Sequence, residues 1–140
     1  MSRVFWDTNI FIYLFEDYGS LSGRVARVRE RMLDRGDQLL TSTFTLGELL
    51  VKPMEKDAQQ LREKYEAALR AVALLIPFDA NAARRYAAIR ADRSIRAPDA
   101  IQLACAAREE VDLFITNDVR LAGKKVVGIQ FIVPLEAAYL

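Results

Sequence analysis

Four acidic residues stand where an apolar run gives way to a helical or turn pattern. Asp7 follows Val4-Phe5-Trp6, and Asp118 comes just after Leu113-Phe114-Ile115-Thr116. Glu48 lies about one turn into a helical pattern that opens at Thr45, and Asp99 lies in the first turn after Pro98. If the apolar runs are strands of a parallel sheet, the loops after them share one edge, where open α/β sheets bind ligands. Asp7, Glu48 and Asp118 reach that edge, and the helix from Pro98 delivers Asp99 beside it. Carboxylates gathered this way repel one another, which raises their pKa values until a cation sits between them. Mg²⁺ or Mn²⁺, one or two ions, fits such a set. Both are hard ions that prefer oxygen, and Mg²⁺ takes its ligands at about 2.0–2.1 Å in octahedral geometry.

Each acid also has an ordinary structural role open to it. Asp7 can cap the helix that follows it. Glu48 completes a Thr45-x-x-Glu48 capping box. Asp99 suits the positive end of its helix, and Asn117-Asp118 suits a turn. The case for a metal site therefore rests on the four together.

Composition narrows the chemistry further. The 140 residues contain no histidine and a single cysteine, Cys105. Ser-His-Asp and Cys-His nucleophiles, HExxH zinc sites and Cys/His structural zinc are thereby excluded. Any hydrolysis must use carboxylates, hydroxyls, Lys, Arg, Tyr or a hard metal ion. The formal net charge of +1 gives the whole chain no strong pull on nucleic acid, so phosphate affinity would have to be local. Arg93 and Arg96, just before Asp99, are candidates to hold phosphate there. Arg84, Arg85 and Arg90 read as a solvated helix face ahead of an RNA contact, and Lys124-Lys125 as an exposed turn ahead of an RNA contact.

The length fits one domain spanning residues 1–140, and 52% apolar residues support a real core. No apolar run approaches the roughly 20 residues that cross a bilayer. The N-terminal stretch does not read as a signal peptide, and the lone cysteine suits a reducing compartment, so a cytoplasmic protein is expected.

Short apolar runs alternating with helical patterns predict βα units on a mostly parallel sheet. Strands are expected at Val4–Trp6, Leu39–Thr41, Leu75–Phe78 (an edge, because of Pro77), Leu113–Thr116 and Gln130–Val133. Helices are expected over Asn9–Phe15, capped by Thr8 or Asn9, and over Arg24–Arg35, with Val25, Val28, Met32 and Leu33 inward. Further helices are expected from Thr45 to Val51, ended by Pro53, and over Ala58–Leu75, Asn81–Arg93 and Pro98 to about Glu110.

Asp7-Thr8-Asn9, Thr45-Leu46-Gly47-Glu48-Leu49, Pro98-Asp99-Ala100 and Thr116-Asn117-Asp118 occur in the order and at the spacing of PIN-domain nucleases. The chain resembles that family along nearly its whole length, and most closely the toxins of VapBC toxin–antitoxin systems. The resemblance implies a three-layer α/β/α sandwich around a central parallel sheet. It implies Mg²⁺- or Mn²⁺-dependent cleavage of single-stranded RNA, with Asp7, Glu48, Asp99 and Asp118 as the metal-site acids. Thr8, Asn9, Thr116 and Asn117 look like supporting polar residues. A homodimer silenced by a cognate antitoxin is also implied, its helix received by a clamp formed from the Ala58–Leu75 and Val25–Leu33 patterns, most of whose side chains read first as ordinary core packing. Leu14 and Phe15 would extend that groove. One departure is Leu121, where the family often carries an aromatic residue.

The chemistry expected is metal-assisted phosphodiester hydrolysis leaving a 5′-phosphate and a 3′-hydroxyl, with Asp99 nominated to accept a proton from water. Two other readings use the same fold: a PIN nuclease of RNA maturation, and a silent module that only binds RNA or protein. A haloacid-type phosphatase would need Asp-x-Asp where this chain has Asp7-Thr8-Asn9. A phosphorelay receiver would need paired acids after the first strand and a lysine after a late one, and neither is found.

Overall fold

The computed structural model describes residues 1–138. Its strands are β1 (Arg3–Trp6), β2 (Gln38–Ser42), β3 (Leu74–Ile76), β4 (Leu113–Thr116) and β5 (Phe131–Pro134). Its helices are α1 (Thr8–Phe15), α2 (Ser20–Arg35), α3 (Thr43–Glu55), α4 (Gln59–Val72), α5 (Ala80–Ile89) and α6 (Ala97–Arg108), and a 3-10 turn follows at Leu135–Ala137. The strands form one sheet in the order β3-β2-β1-β4-β5, and every pairing is parallel.

Alternation along the strands builds two cores. Val4 and Trp6 face one side of the sheet, with Leu39 and Ile115; they pack on Ile10, Phe11, Val25, Val28, Met32 and Leu69 from α1, α2 and α4. Phe5 faces the other, with Leu40, Phe114 and Ile132, against α6 and Ala82 of α5. The register Phe5↔Leu40 and Phe5↔Phe114 keeps each face in line, and the Phe5 and Phe114 rings stack 5.2 Å apart. Helices on both faces of the sheet make the three-layer α/β/α sandwich. Alanine is what lets α6 sit close: Ala100, Ala104, Ala106 and Ala107 are fully buried on it.

Several boundaries differ from the sequence expectation for identifiable reasons. The cap of α1 is Asp7, whose carboxylate accepts from Thr8 N at 2.9 Å, rather than Thr8 or Asn9. Helix α3 starts two residues early because Ser42 caps it, its hydroxyl accepting from Thr45 N at 3.1 Å. That displaces the capping box expected of Thr45 and Glu48. Pro53 does not end α3; its buried ring sits two residues before Glu55, within the last turn, where a missing N–H costs one bond. Helix α4 gives up its last expected residues to β3, since Leu74–Ile76 pairs with Leu40–Ser42 at the sheet edge. Pro77 lies just beyond that strand. Helix α5 stops at Ile89, and a turn in which Asp92 accepts from Ser94 N and Oγ replaces its expected last turn. Leu33 is 61% exposed, outside the buried stripe of Val25, Val28 and Met32.

Candidate active site

The chain order places β2 and β3 on one side of β1 and β4 and β5 on the other. The two directions part between β1 and β4, and a crevice at that point is where open α/β sheets take ligands. Asp7 leaves β1 there and Asp118 follows β4. A cavity of about 250 Å³ opens at this place, lined by Asp7, Thr8, Asn9, Ile12, Glu48, Arg96, Pro98, Asp99, Gln102 and Asp118. All four acids singled out by sequence thus face one cavity, delivered by the end of β1, by α3, by the start of α6 and by the end of β4.

Asp7 is the deepest of them. Its Oδ2 accepts from Thr116 Oγ1 at 2.8 Å, and its Oδ1 from Thr8 N at 2.9 Å and Gln102 Nε2 at 3.4 Å. Burial nonetheless pushes its pKa from the ordinary 3.8 up to about 6, with smaller contributions from the charges of Asp99 and Glu48. Glu48 accepts from Thr8 Oγ1 at 2.5 Å. Asp99 is raised by partial burial and by Asp118, against the pull of Arg96. Asp118 is instead held low, chiefly by Arg120, whose Nε and Nη2 reach its two carboxylate oxygens at 3.0 and 2.7 Å.

The supporting residues divide. Thr116 donates to Asp7 and accepts from Asp118 N at 3.0 Å, joining two acids through one hydroxyl. Asn9 lines the cavity and accepts weakly from Asn117 N, while Asn117 Nδ2 turns away to donate to Tyr13 Oη at 2.9 Å. Arg96 lies between Asp99 and Asp118, 3.6 and 3.7 Å from their oxygens. Arg93 is exposed and does not line the cavity.

Three contributors, Gln102, Ser42 and Arg120, were not singled out by sequence, and a fourth, Thr45, was read there only as a helix cap and part of a motif. Gln102 is a buried hub: its Nε2 donates to Thr8 Oγ1 at 2.9 Å and Thr45 Oγ1 at 2.7 Å, and its Oε1 accepts from Ser42 Oγ. It follows Asp99 by three residues, so one helix face carries both, and that spacing was the available signal. Thr45 serves the same network from α3 and Ser42 from the end of β2. Arg120 had only its place two residues after Asp118 to suggest it.

The donor set suits a hard divalent cation, because carboxylate oxygens line the cavity and the most buried of them is hard to ionise alone. Among the described residues no three carboxylates close around a common point. Mg²⁺ does not need that: it keeps several waters and takes one or two carboxylates plus a substrate oxygen.

The PIN domain family model matches residues 4–126. No curated protein matches the chain. Among solved structures, the chain is similar to one in the crystal structure of VapBC2 from Rickettsia felis bound to a DNA fragment from their promoter. That match has a TM-score of 0.74 at 15% identity over 94% of this chain and 98% of the other. A toxin–antitoxin complex from Klebsiella pneumoniae gives 0.66 at 24% identity, over 90% and 94% of the two chains. VapBC-5 from Mycobacterium tuberculosis gives 0.59 at 22%, over 96% and 99%.

Proposed function

The chain belongs to the PIN-domain family, and from that premise we propose that it is a divalent-metal-dependent endoribonuclease of single-stranded RNA, the toxin of a type II toxin–antitoxin pair. The observation that carries the reading is the convergence of Asp7, Glu48, Asp99 and Asp118 on one cavity at the carboxyl edge of a parallel sheet. Asp7 and Asp99 would hold a Mg²⁺ or Mn²⁺ ion, with Glu48 and Asp118 beside them; whether one or two ions bind follows from metal titration. The ion would supply Lewis acidity and neutralise charge at the phosphodiester.

The chain's own groups do the rest. Thr116, Thr8 and Gln102 fix the Asp7 carboxylate, so its position is set before anything binds. Thr8 orients Glu48 in the same way. Among the described residues Asp99 is engaged only by Arg96, at 3.6 Å, so it is the acid with oxygens free to take a proton from water. Arg96 stands where a phosphate oxygen would lie and is the favoured phosphate contact. Arg93, on the exposed turn before it, would meet the strand further out.

The antitoxin partner is supported by the complexes in which similar folds occur, and the homodimer by the family resemblance. Among the described residues no helix is long and apolar enough to cross a membrane. A cytoplasmic place of action goes with the RNA substrate.

The test is cleavage of a fluorescent single-stranded RNA. Mn²⁺-dependent cutting that EDTA stops, with 5′-phosphate and 3′-hydroxyl ends, is expected, and D7N and D99N should each abolish it while remaining folded. Undiminished cutting by both variants would overturn the site. No cutting of any RNA by the wild type would favour the silent binding module.

A further inference from the structure

A second, larger cavity of about 480 Å³ lies between α5 and the segment after β4. Its lining is aliphatic at Ala88, Ile89, Ile95 and Val126, with Val127 at the mouth, and its rim carries Arg84, Arg85, Lys124 and Lys125 together with Asp92. Sequence separates the two halves of that rim by about forty residues and reads each as a solvated surface first and an RNA contact second. The fold closes them around one hollow. Lys124 is matched by Asp92 at 3.1 Å, but among the described residues Arg84, Arg85 and Lys125 have no carboxylate within ion-pair distance. In a chain of net charge +1, three unmatched cations around one apolar hollow are a local anion site.

The hollow and the acidic cavity are linked along the chain. Ile95 lines the first and Arg96 the second, and consecutive Cα atoms are only about 3.8 Å apart. The segment from Asp118 to Lys124 connects the two along another wall. A strand whose phosphate sits at the acids, with Arg96, would have to run past the Ile95–Arg96 segment to reach this hollow.

We propose that the Arg84–Lys125 cavity is a nucleotide subsite that takes an unpaired base of the RNA against its aliphatic floor and the flanking phosphates on its cationic rim. The inference rests on the ribonuclease reading for the identity of the strand. An unpaired base presents an apolar face bounded by anions at both ends, which is the pattern of floor and rim. Base-paired RNA keeps its bases stacked inside the duplex and cannot place one there, so the subsite selects single-stranded segments next to the cut.

The test measures binding in EDTA, so neither metal nor cleavage enters. A short fluorescein-labelled single-stranded RNA is titrated by anisotropy at several salt concentrations against the full chain and two variants. One variant carries R84A with K125A. The other carries V127D at the cavity mouth, where Val127 is 89% exposed and outside the core. Thermal melts confirm folding. The double variant should bind several-fold more weakly, and its salt slope should be shallower by about 1.4, since each phosphate neutralised on a single strand contributes about 0.7. V127D should weaken binding as well. RNA carrying 4-thiouridine should crosslink within residues 84–89 or 124–127.

Unchanged affinity and slope, or crosslinks confined elsewhere, overturn the subsite. Displacement of the RNA by adenosine monophosphate alone, at comparable concentration, overturns the strand in favour of a free nucleotide. Displacement by polyglutamate at equal charge overturns it in favour of an acidic peptide. The two readings fail separately. RNA bound here but never cut with Mn²⁺ removes the nuclease and keeps the subsite, whereas normal cutting with normal binding by both variants removes the subsite alone.

Discussion

Asp7 is pulled in two directions: burial lifts its pKa to about 6, while bonds donated by Thr116 and Thr8 hold it down. The folded carboxyl keeps its proton to higher pH than the unfolded one, so folding takes up a proton between about 3.8 and 6. Stability from this group is therefore full below the lower value and is lost as pH rises through the upper one. The rise from 3.8 to about 6 corresponds to about 3 kcal/mol at neutral pH. D7N should accordingly be more stable than wild type above pH 6, by up to about 3 kcal/mol in urea titrations, and the gap should close in acid. An equal gap at all pH values would show that the carboxylate is not desolvated. Arg120 is the residue-scale counterpart on Asp118. R120A removes the cation that competes for those oxygens, so Mn²⁺ should stabilise it at a lower midpoint concentration than wild type in thermal-shift titrations. A higher midpoint would mean that Arg120 helps to assemble the site.

Elements deliver these residues because their ends are tightly specified. Ser42 caps α3 and also donates to Gln102, so one hydroxyl sets both the start of that helix and the hub beneath the acids. Pro98 opens α6, which puts Asp99 in its first turn and Gln102 one turn deeper. The far end of α6 meets Gly128 before β5. A Cβ on Gly128 would lie 2.7 Å from Ala107 O, and its φ of +99° is strained for other residues. G128A should cost about 1–3 kcal/mol in chemical denaturation. It should also loosen the Val126–Val127 wall of the second cavity, reducing RNA affinity more than metal affinity. A neutral substitution would mean that this close approach is not kept in solution.

At the scale of the molecule, a parallel sheet with helices on both faces concentrates acidic residues from distant segments at one edge, and the fold bears their repulsion. Mn²⁺ or Mg²⁺ should therefore raise Tm beyond what the same ionic strength of NaCl achieves, and D7N and D99N should blunt that gain. Identical shifts from NaCl would leave the acids without a specific ion. Much of this architecture was legible from residue order. Buried strands such as Leu113–Thr116 announce themselves as apolar runs, and an acid directly after a strand has only one edge of a parallel sheet to occupy. Chain ends of helices were less legible. Thr45 reads as a cap because Ser/Thr-x-x-Glu is a local pattern, whereas Ser42 won that role through pairing of β2 with β1 and β3, which sequence does not display. By itself the sequence determined the alternation of strands and helices on a mostly parallel sheet and the place of the four acids after or beside its strands, because hydrophobic period and strand ends are local properties. Only the tertiary structure decided that Gln102 links Thr8, Thr45 and Ser42, that Arg120 rather than Arg93 enters the acidic cluster, and that Arg84 and Lys125 share a cavity. Those are contacts between segments tens of residues apart or between side-chain directions, and packing, not spacing, sets them.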